Sequence, residues 1–205
     1  MIDPATLAWD KMDGLLPAIV RDARSGNVLM LGYMDKTALA ATQADGLVTF
    51  YSRSKQRLWR KGESSGNVLR LVAIAADCDQ DALLVTAEPA GPTCHRGMDS
   101  CFDVQPAGVA WLSQLEQIVA NRAAASPDES YTARLLSGGP EKAAQKVGEE
   151  GVEVALAAVC RDSEGLIEES ADLLFHLLVV LRARDVALTD VISRLHSRQH
   201  KSERL

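Results

Sequence analysis

Residues 76–81 read "ADCDQD", which sets Asp77, Asp79 and Asp81 at alternate positions with Cys78 between the first two. In an extended strand alternate side chains share one face, so the three carboxylates would stand together and Cys78 would point the other way. Crowded carboxylates favour a hard divalent cation such as Mg2+, whereas a thiolate favours zinc. The alternative is a polar turn closing a core strand, with Cys78 as an ordinary buried small residue. Further along, "GPTCHRGMDSCF" places Cys94 and Cys101 seven positions apart, with His95 beside the first. That interval is wider than a zinc ribbon uses. Together with Cys78 it offers three soft ligands. Three protein ligands and an open fourth position make the arrangement of a catalytic zinc, which brings the pKa of a bound water to about 7. His95 is then a candidate proton carrier, against the commoner structural role of a lone histidine.

Two further groups suit phosphate chemistry. In "WRKGESSGN" (59–67), Arg60 and Lys61 supply positive charge, Gly62 and Gly66 allow close backbone approach, and Ser64 and Ser65 supply hydroxyl donors. The spacing is not that of a Walker A loop, so an ordinary hairpin turn is the competing reading. In the second half, Glu150 and Glu153 are three apart, as are Glu169 and Asp172, and that interval puts each pair on one helix face. Lys142, Lys146, Glu149 and Glu153 fall within a narrow arc, with Glu150 at its margin. One such helix alone reads as a row of surface ion pairs. Glu169 and Asp172, however, interrupt a run rich in Leu, Phe and Val, where a carboxylate needs a partner or a metal. Two antiparallel helices presenting Glu150, Glu153, Glu169 and Asp172 to each other would make a cage for Mg2+. Lys142 and Lys146 would lie one or two turns along to hold phosphates. Glu149, Glu150 and Glu153 are equal candidates for activating an attacking water. His176, one turn past Asp172, is within reach of such a site but reads better as a packed core histidine, and Cys160 reads as buried.

These residues need elements to carry them. The first half holds short β-rich runs at 27–34, 47–53, 56–61, 67–76 and 82–89, separated by Gly, Ser, Asn and Asp. Between the first two lies "DKTALAATQADG", a helix with Asp35 as its cap and Gly46 as its stop. A mixed sheet with one or two helices follows. Pro106 and Gly108 then punctuate the chain, and a linker is expected at about 104–110, dividing residues 1–110 from 111–205. From Trp111 onward the period is helical: Leu112, Leu115, Ile118 and Val119 line one stripe. Similar stripes cover 141–160, 164–183 and 188–199, with Gly151, Gly165 and "SPDES" as interruptions. The last ten residues read as a solvated, fraying tail.

Bulk properties narrow the function. With 28 acidic and 22 basic residues the net charge is −6, which argues against sequence-blind attraction to nucleic acid. A polyanionic substrate would need metal ions or local basic clamps. No apolar stretch approaches the roughly 20 residues of a membrane span, and the start lacks a basic-then-apolar signal pattern. Four cysteines are too few for a disulfide-stapled scaffold of this length, so free thiols in a reducing cytoplasm are expected.

"WRKGESSGN", "DCDQD" and "GPTCHRGMDSCF", in that order, resemble the phosphoribosyl-AMP cyclohydrolase family over about residues 15–103. The resemblance implies a dimeric, β-rich α+β fold and a zinc held by three cysteines, here Cys78, Cys94 and Cys101. It also implies magnesium on Asp77, Asp79 and Asp81, and hydrolytic opening of a purine ring. In that family the zinc ligands are shared across subunits, so Cys78 is expected to face Cys94 and Cys101 of a second copy. Small departures occur at Ser64, Arg96, Met98 and Asp99, and none removes a ligand. The lysine-bearing "EKAAQKVGEE", Glu150-x-x-Glu153 and Glu169-x-x-Asp172 resemble the phosphoribosyl-ATP pyrophosphatase family, helical relatives of MazG-type pyrophosphohydrolases, over about residues 112–200. That implies an all-helical, dimeric bundle releasing pyrophosphate from a phosphoribosyl nucleotide. The competing readings are a zinc-structured binding module, a general nucleoside triphosphate pyrophosphatase, and a helical dimerisation element.

Overall fold

A computed structural model describes residues 1–102 and 108–202, with side chains through Gln199. The chain divides into two compact units, Met1–Ala110 and Trp111–Leu205. Of the stretch 104–110 read as a linker, 104–107 lie outside the described residues, as does Asp103, and Gly108–Ala110 forms a short 3-10 turn.

The first unit is built on a four-stranded mixed sheet. Its strands are β1 (Leu16–Asp22), β2 (Val28–Met34), β5 (Leu69–Ala76) and β6 (Leu83–Pro89), in the order β2-β1-β6-β5. β1 runs antiparallel to β2 and parallel to β6, and β5 returns antiparallel along β6. A separate ribbon pairs β3 (Thr49–Ser52) with β4 (Arg57–Arg60). Helix α1 (Lys36–Asp45) begins where the Asp35 carboxylate accepts the Ala38 N–H and ends at Gly46 in the left-handed region. The expected strands thus occur, as does the capped helix. β1 was not among them, and it contains Pro17. A proline argues against a central strand because it has no N–H for the ladder. Here it sits one residue before the parallel pairing starts at Ala18 and Leu83, so its missing donor costs little.

Period-two burial makes the core: Leu16, Ala18 and Val20 of β1 and Val85 and Ala87 of β6 are buried, with Met34, Leu39, Val48, Phe50 and Leu69 packed around them. Each of the larger side chains contributes about 1.5–3 kcal/mol by leaving water. Gly32 lets the Phe50 ring approach β2, since a Cβ there would lie 2.4 Å from a ring carbon. Phe50 in turn stacks on its cross-strand partner Trp59 at 5.6 Å, joining the two strands of the ribbon.

The second unit is all helical: α2 (Trp111–Arg122), α3 (Tyr131–Ser137), α4 (Gly139–Cys160), α5 (Ser163–Ala183) and α6 (Leu188–Ser202). α4 and α5 form its most extensive helix pair. Val119, Leu135, Ala143, Leu178 and Val179 are its buried centre, with Leu115 and Phe175 against them. Three expectations need correction. Gly151 lies inside α4 and Gly165 inside the first turn of α5, where the Asp162 carboxylate accepts its N–H, so neither interrupts a helix. α3 is an additional short helix, capped by the Ser130 hydroxyl. The stretch read as a tail from His196 continues α6 as far as Ser202, its side chains exposed through Gln199.

Candidate active sites

The aspartate run is not a strand. β5 ends at Ala76, and Asp77–Ala82 is the turn that joins it to β6. Asp77 makes that turn itself, its Oδ1 accepting the N–H groups of Asp81 at 3.0 Å and Ala82 at 3.1 Å. Gln80 follows with φ at 65°. The three carboxylates nonetheless gather, each offering an oxygen within 4.8 Å of the others. Alternation brings them together through a side-chain-closed turn and not through a shared strand face. Lys11, from a 3-10 turn at Trp9–Met12, reaches this group with Nζ 2.8 Å from Asp79 and 3.3 Å from Asp81. Its hydrogen bond holds the Asp79 carboxyl below the ordinary range. Sequence pattern had no means of finding Lys11, since it lies 68 residues from Asp79.

Cys94 and Cys101 do meet. A tight turn in which Cys94 N–H donates to Met98 O at 2.9 Å brings the chain back. The Cys101 N–H then donates to Leu29 O at 2.7 Å, which anchors that end to β2. The Cys101 thiol is pushed up by desolvation and then by the charge and hydrogen bond of Cys94, while the charge of Lys61 pulls it down. His95 is exposed, with Nδ1 3.9 Å from the Cys94 sulfur. Cys78 stands exposed in the acidic turn, and among the described residues no group of three ligands unites it with the other two sulfurs.

The "WRKGESSGN" loop folds against this region. Asn67 Nδ2 donates to Pro92 O at 3.2 Å, two residues before Cys94. Lys61 is buried with Nζ 3.4 Å from Asn67 O, whereas Arg60 turns outward to pair with Asp45. Ser64 and Ser65 are exposed, and the Ser65 hydroxyl accepts the Asn67 N–H. Gly62 has φ of 84°, and a Cβ there would fall 2.5 Å from the Asn67 carbonyl, so the loop closes only with glycine at that position.

In the helical unit Glu150, Glu169 and Asp172 each place an oxygen within 4.8 Å of the other two. Glu150 and Glu169 are buried, and Asp172 is exposed. Glu153 is exposed and does not complete this group, yet its carboxyl is raised by a hydrogen bond with Glu169 and then by the Glu169 charge. Lys146 Nζ bridges Glu149 at 2.7 Å and Glu150 at 3.4 Å. That hydrogen bond, with one from Gln145, lowers the Glu149 carboxyl. Lys142 packs its stem against Gly138. Arg161, which no pattern singled out, pairs with Glu169 from the C-terminal cap of α4. His176 is buried as expected of a core histidine, but it also lies 3.5 Å from Glu150. Cys160 is exposed, not buried, because the end of α4 turns that face to solvent.

Comparison with known proteins joins these features. Residues 30–103 match the family model for phosphoribosyl-AMP cyclohydrolase, and residues 112–199 match that for phosphoribosyl-ATP pyrophosphohydrolase. The chain is 58% identical over 197 residues to the histidine biosynthesis bifunctional protein HisIE of Xanthomonas axonopodis pv. citri, covering 96% of this chain and 95% of that one. The HisIE proteins of Vibrio vulnificus strain YJ016 and Shigella flexneri are 55% and 56% identical over 94% of this chain, and over 92% and 95% of their own. This chain belongs to the bifunctional HisIE family.

Membership accounts for two units of unlike construction in one polypeptide, one strand-rich and one helical, in cyclohydrolase-then-pyrophosphohydrolase order. It favours the paired enzyme over the binding-module and dimerisation-element readings. HisIE hydrolases are metal-dependent, and the two acidic groups are the places among the described residues where three ligand-type side chains converge. No helix among the described residues is long and apolar enough to cross a membrane.

Proposed function

We propose that this HisIE chain carries out two successive hydrolyses of histidine biosynthesis, in reverse of their order along the polypeptide. Residues 111–205 release pyrophosphate from phosphoribosyl-ATP, and residues 1–110 open the purine ring of the phosphoribosyl-AMP so formed, giving the formimino aminoimidazole carboxamide ribotide. The observation that carries the first assignment is the convergence of Glu150, Glu169 and Asp172 between α4 and α5. Three oxygens at that separation, two from buried residues, fit a magnesium ion that keeps some of its waters. Bound there, magnesium would offset charge on the phosphates and on the departing pyrophosphate. Glu153, beside Glu169, completes the acidic wall. Lys142 and Lys146 supply positive charge for the phosphates, and Lys146 also holds Glu149 and Glu150 in place. Glu149, Glu150 and Glu153 are the carboxylates available to orient the attacking water.

For the ring-opening half, the adjacent thiols of Cys94 and Cys101 fit two corners of a zinc site. Cys78 of a second copy is the third ligand, since within one protomer no group of three ligands among the described residues unites it with them. Zinc held there would supply an acidified water at neutral pH. His95, beside Cys94, is positioned to move a proton at that water. Asp77, Asp79 and Asp81 fit a magnesium ion once Lys11 is displaced. Lys61, with Arg60, Ser64 and Ser65 on the same loop, receives the substrate phosphate. Four free thiols fit a reducing, cytoplasmic setting for this homodimer.

The test supplies purified protein with phosphoribosyl-ATP and magnesium, with and without zinc, and follows pyrophosphate and ring-opened product together. Accumulation of phosphoribosyl-AMP only in the zinc-free reaction is expected. Undiminished ring opening without zinc would remove the thiol-site reading, and pyrophosphate release without any divalent cation would remove the carboxylate one.

A further inference from the structure

One buried group in the helical unit is not used by the reaction described above. His176 on α5 is 5% exposed, and Glu150 beside it on α4 is 6% exposed. The imidazole Nδ1 lies 2.9 Å from the backbone oxygen of Asp172 and 3.5 Å from Glu150 Oε1. A carbonyl can only accept, so Nδ1 carries the hydrogen, and its nearest other neighbour is again an acceptor. On the opposite edge Nε2 lies 3.1 Å from the Tyr131 hydroxyl. With Nδ1 protonated, a neutral ring leaves Nε2 as the acceptor, and Tyr131 donates to it.

The ring is also fixed laterally. Tyr131 and Phe175 meet it edge to face, with centroids 6.1 Å and 5.2 Å away. Tyr131 begins α3, where the Ser130 hydroxyl caps the helix and sets its first turn. A continuous path therefore runs from α3 through Tyr131 to His176 on α5, and from there to Glu150 on α4 and the backbone of Asp172. Two of the three residues in the acidic group are touched by one immobilised ring. Lys146 Nζ, at 3.4 Å, also addresses Glu150 Oε1, so both contacts fall on one oxygen and Oε2 carries neither.

We propose that His176, fixed by Tyr131, is a positioning residue that orients Glu150 and the Asp172 turn for a divalent cation, with Tyr131 selecting the ring tautomer that can do so. This rests on the reading of Glu150, Glu169 and Asp172 as cation ligands. Groups that sit behind a metal ligand and orient it change affinity by about 10- to 100-fold when removed. A histidine serving only to fill the core would change stability and leave affinity alone.

The two amides separate these roles. Asn in place of His176 keeps an N–H donor near the Nδ1 position, whereas Gln carries its amide to the Nε2 position, toward Tyr131. The experiment uses the full chain with Asp79→Asn and Asp81→Asn, so that the helical carboxylates dominate, and titrates it with Mn2+ by electron paramagnetic resonance. Thermal melts run alongside. His176→Gln is expected to weaken Mn2+ binding about tenfold or more. Tyr131→Phe should give a smaller loss, and His176→Asn should retain most of the affinity at a comparable melting temperature. Equal losses for Asn and Gln that simply follow the melting temperatures, or no loss for either, would overturn the proposal. Glu150→Gln is the control: if it leaves Mn2+ binding unchanged, the ligand reading itself falls and takes this inference with it.

Discussion

Glu150, Glu169 and Asp172 come together inside one helix pair, while Cys78 stands exposed in a hairpin turn and forms no three-ligand group with Cys94 and Cys101 among the described residues. Both sets were chosen from sequence by the same logic, ligand type plus spacing. The outcomes differ because the carriers differ. A helix repeats every 3.6 residues, so Glu169 and Asp172 share a face wherever α5 goes, and packing α4 along α5 brings Glu150 to them. A turn and a loop have no such period. Cys94 and Cys101 meet only because the Cys94–Met98 turn and the Cys101–Leu29 hydrogen bond bring them round. Nothing in either feature brings Cys78. The helical carboxylates converge within one chain, and the thiol site, on our proposal, is completed by a second copy.

The sharpest way to break this comparison is to mix dead variants. Cys78→Ser and Cys101→Ser should each abolish ring opening. If ligands are shared between copies, each mixed dimer holds one site with all three sulfurs, so co-refolded variants should regain about a quarter of wild-type activity, as two-fold symmetry requires. No recovery would mean that the three sulfurs belong to one chain. For the helical site the counterpart is Asp172→Asn or Glu169→Gln. Either should lower pyrophosphate release more than about 100-fold, beyond the range for groups merely behind a ligand. Opening of supplied phosphoribosyl-AMP should persist, and mixing these two variants should restore nothing. Recovery on mixing would make the helical site shared as well.

Smaller effects probe the supports. Gly62→Ala forces a Cβ against Asn67 at positive φ and should destabilise the strand-rich unit by about 1–3 kcal/mol, read by calorimetry. An unchanged transition would mean that the loop relaxes freely. Lys11→Gln removes a cation from the aspartate turn and should tighten Mn2+ binding there about two- to fivefold, the scale of an exposed ion pair. Weaker binding would instead make Lys11 a support of the site. The smallest effect concerns pH. The Glu63 carboxyl is lowered chiefly by its hydrogen bond from Arg57. Its contribution is therefore complete above the ordinary glutamate range and fades as pH falls through the lowered pKa. An NMR titration should find Glu63 below an ordinary glutamate and back at the ordinary value in Arg57→Gln. Equal titrations in the two proteins would dismiss the pair.

Much of this was legible in the chain itself. Asp35 and Gly46 bound α1 at the residues their cap chemistry demands, and period-two and period-3.6 patterns located most strands and helices. Alternate aspartates announced a carboxylate cluster, and paired acids in apolar helices announced another. Local rules failed where two local preferences competed. β1 went unread, and it holds Pro17, which has no N–H for a ladder, one residue before its pairing with β6 begins. Alternation offered a shared strand face at Asp77–Asp81 and a polar turn as the alternative, and the turn won because the Asp77 carboxylate captured two backbone N–H groups. Gly151 and Gly165 looked like breaks, but each sits in a helix whose packed neighbours outweigh one glycine.

What the sequence determined alone is everything that depends on period, caps and residue chemistry over a few positions: the elements, their buried faces and the kinds of ligand they carry. What only the tertiary structure decided is which of those ligands meet, and what stands behind them. Lys11 at the aspartate turn, Arg161 on Glu169 and Tyr131 on His176 are contacts 68, 8 and 45 residues long. The physical reason is that local preference acts on a few bonds along the backbone. A contact across the fold is set by how whole elements pack, and no short stretch of chain contains that information.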